Sequence, residues 1–113
     1  MKIRTSTLAA LKAKGQKFAA LTSYDIHTAA IFDQAGIEVL LVGDSASDNV
    51  LGYNGTTPIE LSEMIPFGRA VASSAVSALV VVDLPFGSYE VSDDQALTNS
   101  IRVMKETGAD AVK

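Results

Sequence analysis

Four side chains with chemical capacity stand where apolar runs of the chain end. Asp44 and Ser45 close IEVLLVGDS, Asp83 closes SALVVVD, and Lys113 closes ADAVK. Two carboxylates held at one strand spacing repel each other unless a proton or a cation lies between them. Oxygen donors with no histidine or cysteine nearby favour magnesium or manganese over zinc. A lysine ammonium beside such a pair suits a substrate carboxylate, or an oxyanion that develops during a reaction. Ser45 adds a hydroxyl and a backbone N–H at the same tip. Taken singly, each residue also has a bland use. An aspartate at a strand end commonly caps a helix, and a terminal lysine is commonly solvated. Only their convergence on consecutive strand ends favours a metal site.

That convergence requires parallel strands, and the chain reads as alternating helices and strands. Lys2–Lys14 is expected to be a helix capped by Thr5 or Ser6 and stopped by Gly15. KFAALTSYD is a first strand, after which Asp25 caps a helix that runs to Ala35 and closes at Gly36. A loop of about a dozen residues follows the second strand, its glycines and Asn54 suited to turns. Thr57-Pro58-Ile59-Glu60 reads as a capping box with proline at the first helical position. Leu61, Met64, Ile65, Gly68 and Ala72 keep helical spacing after it, and Pro66 predicts a kink or a restart. Ser92-Asp93-Asp94-Gln95 opens the last helix, with Leu97, Ile101 and Met104 as one apolar stripe and Gly108 as its stop. Met64 and Met104 are assigned to the core.

Continuous apolar strands separated by helices imply a parallel sheet with right-handed crossovers and both faces covered. Carboxyl ends of neighbouring strands then lie side by side, where such folds bind ligands. Either an open doubly wound sheet or part of a (βα)8 barrel satisfies this pattern. The absence of G-x-G-x-x-G and of G-x-x-x-x-G-K-[ST] counts against the nucleotide-binding open sheets. Tyr24 is expected to line the pocket, and Asp25, Asp48 and Asp93 to cap or be solvated. His27, the single histidine, lies in a first helical turn and receives no role. Ser45 has no partner histidine and no G-x-S-x-G elbow, so a hydrolase triad is unsupported.

Composition narrows the classes further. The 113 residues are 48% hydrophobic and include no cysteine. That removes disulfide-stapled modules, cysteine-ligated zinc, iron–sulfur clusters and thiol nucleophiles. A net charge of −4 argues against nucleic acid as a partner. No apolar run approaches the roughly 20 residues that cross a bilayer. MKIRTSTLAALKAKG is too broken for a signal peptide, so the chain reads as cytoplasmic, with no membrane partner. Charge is also unevenly placed. Lys2, Arg4, Lys12, Lys14 and Lys17 crowd the start, whereas Phe18 to Gly68 carries acidic residues and no lysine or arginine between them.

LTSYD, LLVGDS, DLPFGSYE and GADAVK, in this order and at this spacing, resemble the ketopantoate hydroxymethyltransferase family over residues 2–113. The resemblance implies a (βα)8 barrel of the phosphoenolpyruvate/pyruvate-binding type, a TIM barrel, assembled into a homo-oligomer. It implies transfer of a hydroxymethyl group from methylenetetrahydrofolate to 3-methyl-2-oxobutanoate, giving 2-dehydropantoate for pantothenate and coenzyme A synthesis. By motif position it makes Asp44 and Asp83 ligands of Mg2+. It makes Ser45 and Lys113, with the two aspartates, the residues that hold the oxo acid. The ion then acts as a Lewis acid while the carbon beside the carbonyl loses a proton. No residue present is assigned as the general base, which the family places beyond Lys113 along with a further acidic metal-site residue.

Two departures accompany the resemblance. GYNGTTPIE differs from the commoner pattern GYDTTLPIT at Asn54, Gly55 and Thr57, in a loop the family keeps near the mouth of its site. The second is length, since a (βα)8 barrel takes about 250 residues. Residues 1–113 are therefore expected to be the N-terminal half of one barrel domain, with 1–15 the leading helix and 16–113 the first four strands and their helices. Alone, such a half is expected to be inactive, to expose a strand edge at each side, and to aggregate or self-associate. Two other readings remain: a magnesium-dependent carbon–carbon lyase or mutase of the same superfamily, and a non-catalytic half-barrel that binds or assembles.

Overall fold

A computed structural model describes residues 1–113. Its elements are α1 (Thr5–Ala13), β1 (Ala20–Thr22), α2 (Ile26–Gln34), β2 (Val39–Val42), α3 (Ala46–Asn49), α4 (Leu61–Ser74), β3 (Leu79–Val82), α5 (Asp93–Thr107) and β4 (Ala111–Val112). The four strands form one sheet in the order β1-β2-β3-β4, every pair parallel. Spatial order equal to sequence order decides between the two parallel architectures. A doubly wound sheet reverses direction at a switch point, whereas a chain that always steps the same way keeps its helices on one face and curls toward a barrel.

Register fixes which side chains face the helices. Leu40 pairs with Val80, and Val42 with Val82 and then Val112. Leu40, Val80, Val42 and Val82 are fully buried against Ala29, Met64, Ile65, Val71 and Val103 of the helical layer. The alternate residues Leu41 and Val81 point to the helix-free face and are only partly covered. The layers pack tightly at Gly68, where a Cβ would lie 2.8 Å from Thr107 Cγ2 and 3.0 Å from Val82 Cγ2. Glycine there lets α4 sit between β3 and α5, and alanine would force them apart. No helix is long and apolar enough to cross a membrane.

The expected caps hold in part. Asp25 accepts from the backbone N–H of His27 and of Thr28, both at 2.8 Å, and starts α2 as expected. Ser92 accepts from Gln95 N at 3.0 Å and starts α5. Gly36 and Gly108 take positive φ at the two helix ends. By contrast, α1 is preceded by Arg4 rather than capped by Thr5 or Ser6, with Thr7 Oγ1 accepting from Arg4 N. Nor does α4 begin at Thr57. Its N-cap is Glu60, whose N–H donates to Glu63 Oε2 at 2.8 Å, so the reciprocating carboxylate lies three residues later than the expected one. Because α4 starts later than expected, the connection after β2 runs over 43–60, longer than the expected dozen residues, and contains the short helix α3.

Pro66 neither ends nor restarts α4, which runs unbroken through it from Leu61 to Ser74. Burial of Met64, Ile65, Gly68 and Val71 on both sides of the proline supplies the tertiary contacts that hold the helix together. The stripe expected to bury α5 is the one that faces outward. Leu97 is 63% exposed, Ile101 51% and Met104 38%, while Val103 and Thr107 form the buried face. Met64 is core as expected, and Met104 is not.

Candidate functional site

One row beyond the last register pair, Gly43, Asp83 and Lys113 stand side by side on neighbouring strand ends. The ladder continues into this row, with Asp83 N donating to Val42 O at 2.9 Å and Lys113 N to Val82 O at 3.0 Å. Alternation directs this row opposite to Val42, Val82 and Val112, onto the helix-free face. Strand pairing thus brings Asp83 and Lys113 together from 30 positions apart, and Lys113 Nζ donates to Asp83 Oδ1 at 2.8 Å. Asp83 is 8% exposed, whereas the lysine side chain is 67% exposed. The pair therefore consists of an anchored carboxylate and an ammonium that reaches it from solvent.

Asp44 follows Gly43 directly and joins Asp83 and Lys113 in lining a cavity of about 410 Å³, with Leu84, Tyr89 and Ala96 completing the wall. The Asp44 carboxyl is pushed above its ordinary value by burial first and by the Asp83 charge second, with Lys113 opposing both. Its charge is thus only partly compensated by the protein. Lys113 is shifted upward as well, through its hydrogen bond to Asp83 and then the Asp83 and Asp44 charges, and so stays cationic. Two buried-edge carboxylates with one shared cation leave net negative charge at the cavity wall.

Ser45 takes a different place from the other three. It does not line the cavity, and its hydroxyl lies 2.6 Å from the Tyr24 hydroxyl. Tyr24, expected in the pocket wall, instead packs edge-to-face on Phe67 of α4 with ring centroids 6.2 Å apart. Its length explains the difference: the ring spans from the end of β1 to the helical layer, leaving only the phenol oxygen near β2. Tyr89 is the cavity residue that reasoning from strand ends missed. It lies in the loop after β3, and its place within DLPFGSYE is the signal that could have found it. His27 and Asp48 do not line the cavity, and Asp25 is used as a cap. No group of three or more histidine, cysteine, aspartate or glutamate side chains gathers anywhere in the chain.

Comparison with known proteins bears on the fold and the family. Solved structures with the same fold include a phosphonopyruvate hydrolase in complex with oxalate and magnesium, at TM-score 0.73 and 19% identity. The alignment covers 99% of this chain and 38% of that one. A phosphoenolpyruvate phosphomutase from Streptomyces platensis subsp. rosaceus matches at TM-score 0.73 and 17% identity, over 96% of this chain and 37% of that one. At such identities the likeness shows the barrel fold alone. Sequence relatives are much nearer. The 3-methyl-2-oxobutanoate hydroxymethyltransferase of Saccharopolyspora erythraea is 59% identical over 99% of this chain and 38% of its own length. That of Corynebacterium efficiens is 59% identical over 99% of this chain and 42% of its own. The chain thus spans about two fifths of the curated relatives it matches. These matches favour the transferases over the lyases and mutases of the shared fold. A family model described as ketopantoate hydroxymethyltransferase covers residues 2–113, and the chain belongs to that family.

Proposed function

We propose that this chain supplies the part of a cytoplasmic 3-methyl-2-oxobutanoate hydroxymethyltransferase that holds Mg2+ and the 2-oxo acid. On this reading it is the N-terminal half of one barrel domain, 1–113. The full reaction moves a hydroxymethyl group from methylenetetrahydrofolate to 3-methyl-2-oxobutanoate, yielding 2-dehydropantoate for pantothenate synthesis. The observation that carries the reading is the row at the strand ends. Asp83 and Lys113 are paired at 2.8 Å, and Asp44 lies beside them on the wall of the same cavity.

The donor set fits a hard divalent cation. Asp83 Oδ1 is engaged by Lys113, and Asp83 Oδ2 receives no hydrogen bond. Asp44 is raised by burial first and by the Asp83 charge second, and a cation beside the two carboxylates would oppose both. Two carboxylates leave most of an octahedral shell to water and substrate oxygens, which is how magnesium is commonly held. Bound there, the ion would supply Lewis acidity toward the oxo and carboxylate oxygens of the acid. Lys113 is free to leave Asp83 for the substrate carboxylate, because most of its side chain is already in solvent. Tyr89 and Leu84 offer an apolar flank for the branched alkyl end. Proton removal from the carbon beside the carbonyl is assigned to none of these residues.

The phosphonopyruvate hydrolase that shares the fold is solved with oxalate and magnesium, and oxalate is a dicarboxylate that chelates as a 2-oxo acid does, so the fold is compatible with such a ligand pair. The outward stripe Leu97, Ile101 and Met104 supports assembly into a homo-oligomer. Calorimetric titration of 3-methyl-2-oxobutanoate into the chain tests the reading. Binding is expected with Mg2+ present and to be lost in D83N. Equal binding with and without the ion, or none in either case, overturns it.

A further inference from the structure

The two carboxylates of the cavity are secured to different degrees. Asp83 is held by the ladder and by Lys113. Asp44 takes no side-chain bond from another residue, so its place is inherited from the backbone on either side of it. Before it stands β2. After it stands α3, whose four residues are too few for a helix that holds itself. Ser47 N–H donates to Asp44 O at 2.9 Å, and Ser47 O accepts from Tyr53 N–H at 3.0 Å. Gly52, at φ +80 with open space where a Cβ would stand, turns the chain back so that this second bond forms.

The Tyr53 phenol carries the grip across to α4. It donates to Glu63 Oε1 at 2.7 Å, while Glu63 Oε2 accepts from Glu60 N–H at 2.8 Å. Glu63 lies in the first turn of a helix whose Leu61, Met64 and Ile65 are buried. An exposed loop is thereby tied to an element anchored in the core. The tie closes a span that includes Asn54, Gly55 and Thr57. A cost works against α3 staying where it is. Ser47 is fully buried, and its hydroxyl has no hydrogen-bond partner. A buried hydroxyl left unpaired disfavours the arrangement that buries it, so α3 depends on contacts from outside.

We propose that Tyr53 is a positioning residue: by tying the connection after β2 to α4 it holds α3, and through α3 the Asp44 carboxylate, at the cavity wall. The proposal rests on the reading of Asp44 as a cation ligand, and extends it to a residue outside the cavity lining. Without the phenol oxygen, the Tyr53 N–H alone grips the end of α3. The unpaired Ser47 hydroxyl then favours release, and Asp44 leaves its place beside Asp83. The tie is constant through the neutral range. Tyr53 is raised by its bond to Glu63, and Glu63 is lowered by the Glu60 backbone bond first and the phenol second, so a neutral phenol faces a carboxylate.

The test pairs amide exchange in the metal-free chain with calorimetry of Mg2+ in the presence of 3-methyl-2-oxobutanoate. It uses the unaltered chain, Tyr53→Phe and Glu63→Gln. Tyr53→Phe is expected to speed exchange at Ser47 and Leu51 about tenfold, with the buried β3 amides Val80 and Val82 unmoved. The same variant is expected to weaken Mg2+ about tenfold. Glu63→Gln is expected to hold both properties within about twofold, because its amide accepts from Glu60 N–H and donates to the phenol oxygen. In Asp44→Asn, Tyr53→Phe is expected to cost no further affinity, because it acts through Asp44. A purely structural tyrosine would speed exchange and leave Mg2+ affinity unchanged. That result, unchanged exchange, a Glu63→Gln loss equal to that of Tyr53→Phe, or a further loss in Asp44→Asn overturns the proposal. Failure of the unaltered chain to bind Mg2+ is a separate outcome, which removes the site reading and the positioning role with it.

Discussion

The two ends of the sheet carry the same kind of ion pair and use it differently. At the amino ends of the strands Lys2 Nζ lies 2.8 Å from Asp110 Oδ2, and at the carboxyl ends Lys113 Nζ lies 2.8 Å from Asp83 Oδ1. Cavities of about 400 and 410 Å³ adjoin them. Neither the pair nor the volume separates the ends. Hydrogen-bonding capacity does. At the amino end Asp110 Oδ2 also accepts from Val80 N at 2.9 Å, and Lys2 Nζ also donates to Ala78 O at 2.6 Å. Asp33 there accepts from the consecutive N–H groups of Val76, Ser77 and Ala78 at 3.1, 2.8 and 2.6 Å. Lys2, Asp110 and Asp33 are all turned to holding the chain. At the carboxyl end Asp83 accepts one side-chain bond and Asp44 none from another residue, so their capacity remains for a ligand.

The largest expected effect breaks the carboxyl end. D83N is expected to weaken Mg2+ and oxo-acid binding at least 100-fold, about 2.7 kcal/mol, because it removes both the anionic ligand and the partner of Lys113. Its melting temperature should move little, since the lysine it frees is mostly solvated. D33A sharpens the opposite end. It strips three backbone donors of their acceptor, including that of the fully buried Ala78, and should cost about 1–3 kcal/mol in denaturant unfolding with ligand affinity unchanged.

Acid titration separates the ends by sign. Burial pushes the Asp33 carboxyl up, but its three backbone bonds outweigh that and hold it below its ordinary 3.8. Its contribution is present above 3.8 and lost as pH falls through the lower folded value. Asp44 is held above 3.8, so without a cation its ionisation opposes folding, and that cost appears as pH rises through the folded value. D33A should therefore flatten the acid limb of stability against pH, and D44N should raise metal-free stability near neutral pH. The smallest effect is at Lys2. K2A is expected to cost within about 1 kcal/mol, the worth of a partly exposed pair.

Which parts of this were legible in the sequence follows from what each depends on. Strand ends were legible, because a buried parallel strand is a continuous apolar run and its first polar residue marks the tip. Asp44, Asp83 and Lys113 were found in that way, and strand pairing does the rest. The family motifs pointed to the barrel before the strand order showed it. The outward face of α5 was not legible. Leu97, Ile101 and Met104 have the spacing of a buried stripe, and periodicity alone does not say which partner covers it. The start of α4 was misplaced for a similar reason, since Thr57 and Glu60 make a capping box on paper while Glu60 and Glu63 make the one that forms. Tyr24 was misassigned because a tyrosine's reach depends on packing, here against Phe67.

The central claim is that the free capacity at the carboxyl end belongs to a divalent cation and a 2-oxo acid. Electron paramagnetic resonance of Mn2+ titrated into the chain with 3-methyl-2-oxobutanoate tests it most directly. The account predicts one bound ion per chain, a spectrum that changes when the acid is added, and loss of the bound signal in D83N but not in D33A. A bound signal that survives D83N, or one that disappears equally in D33A, would contradict it.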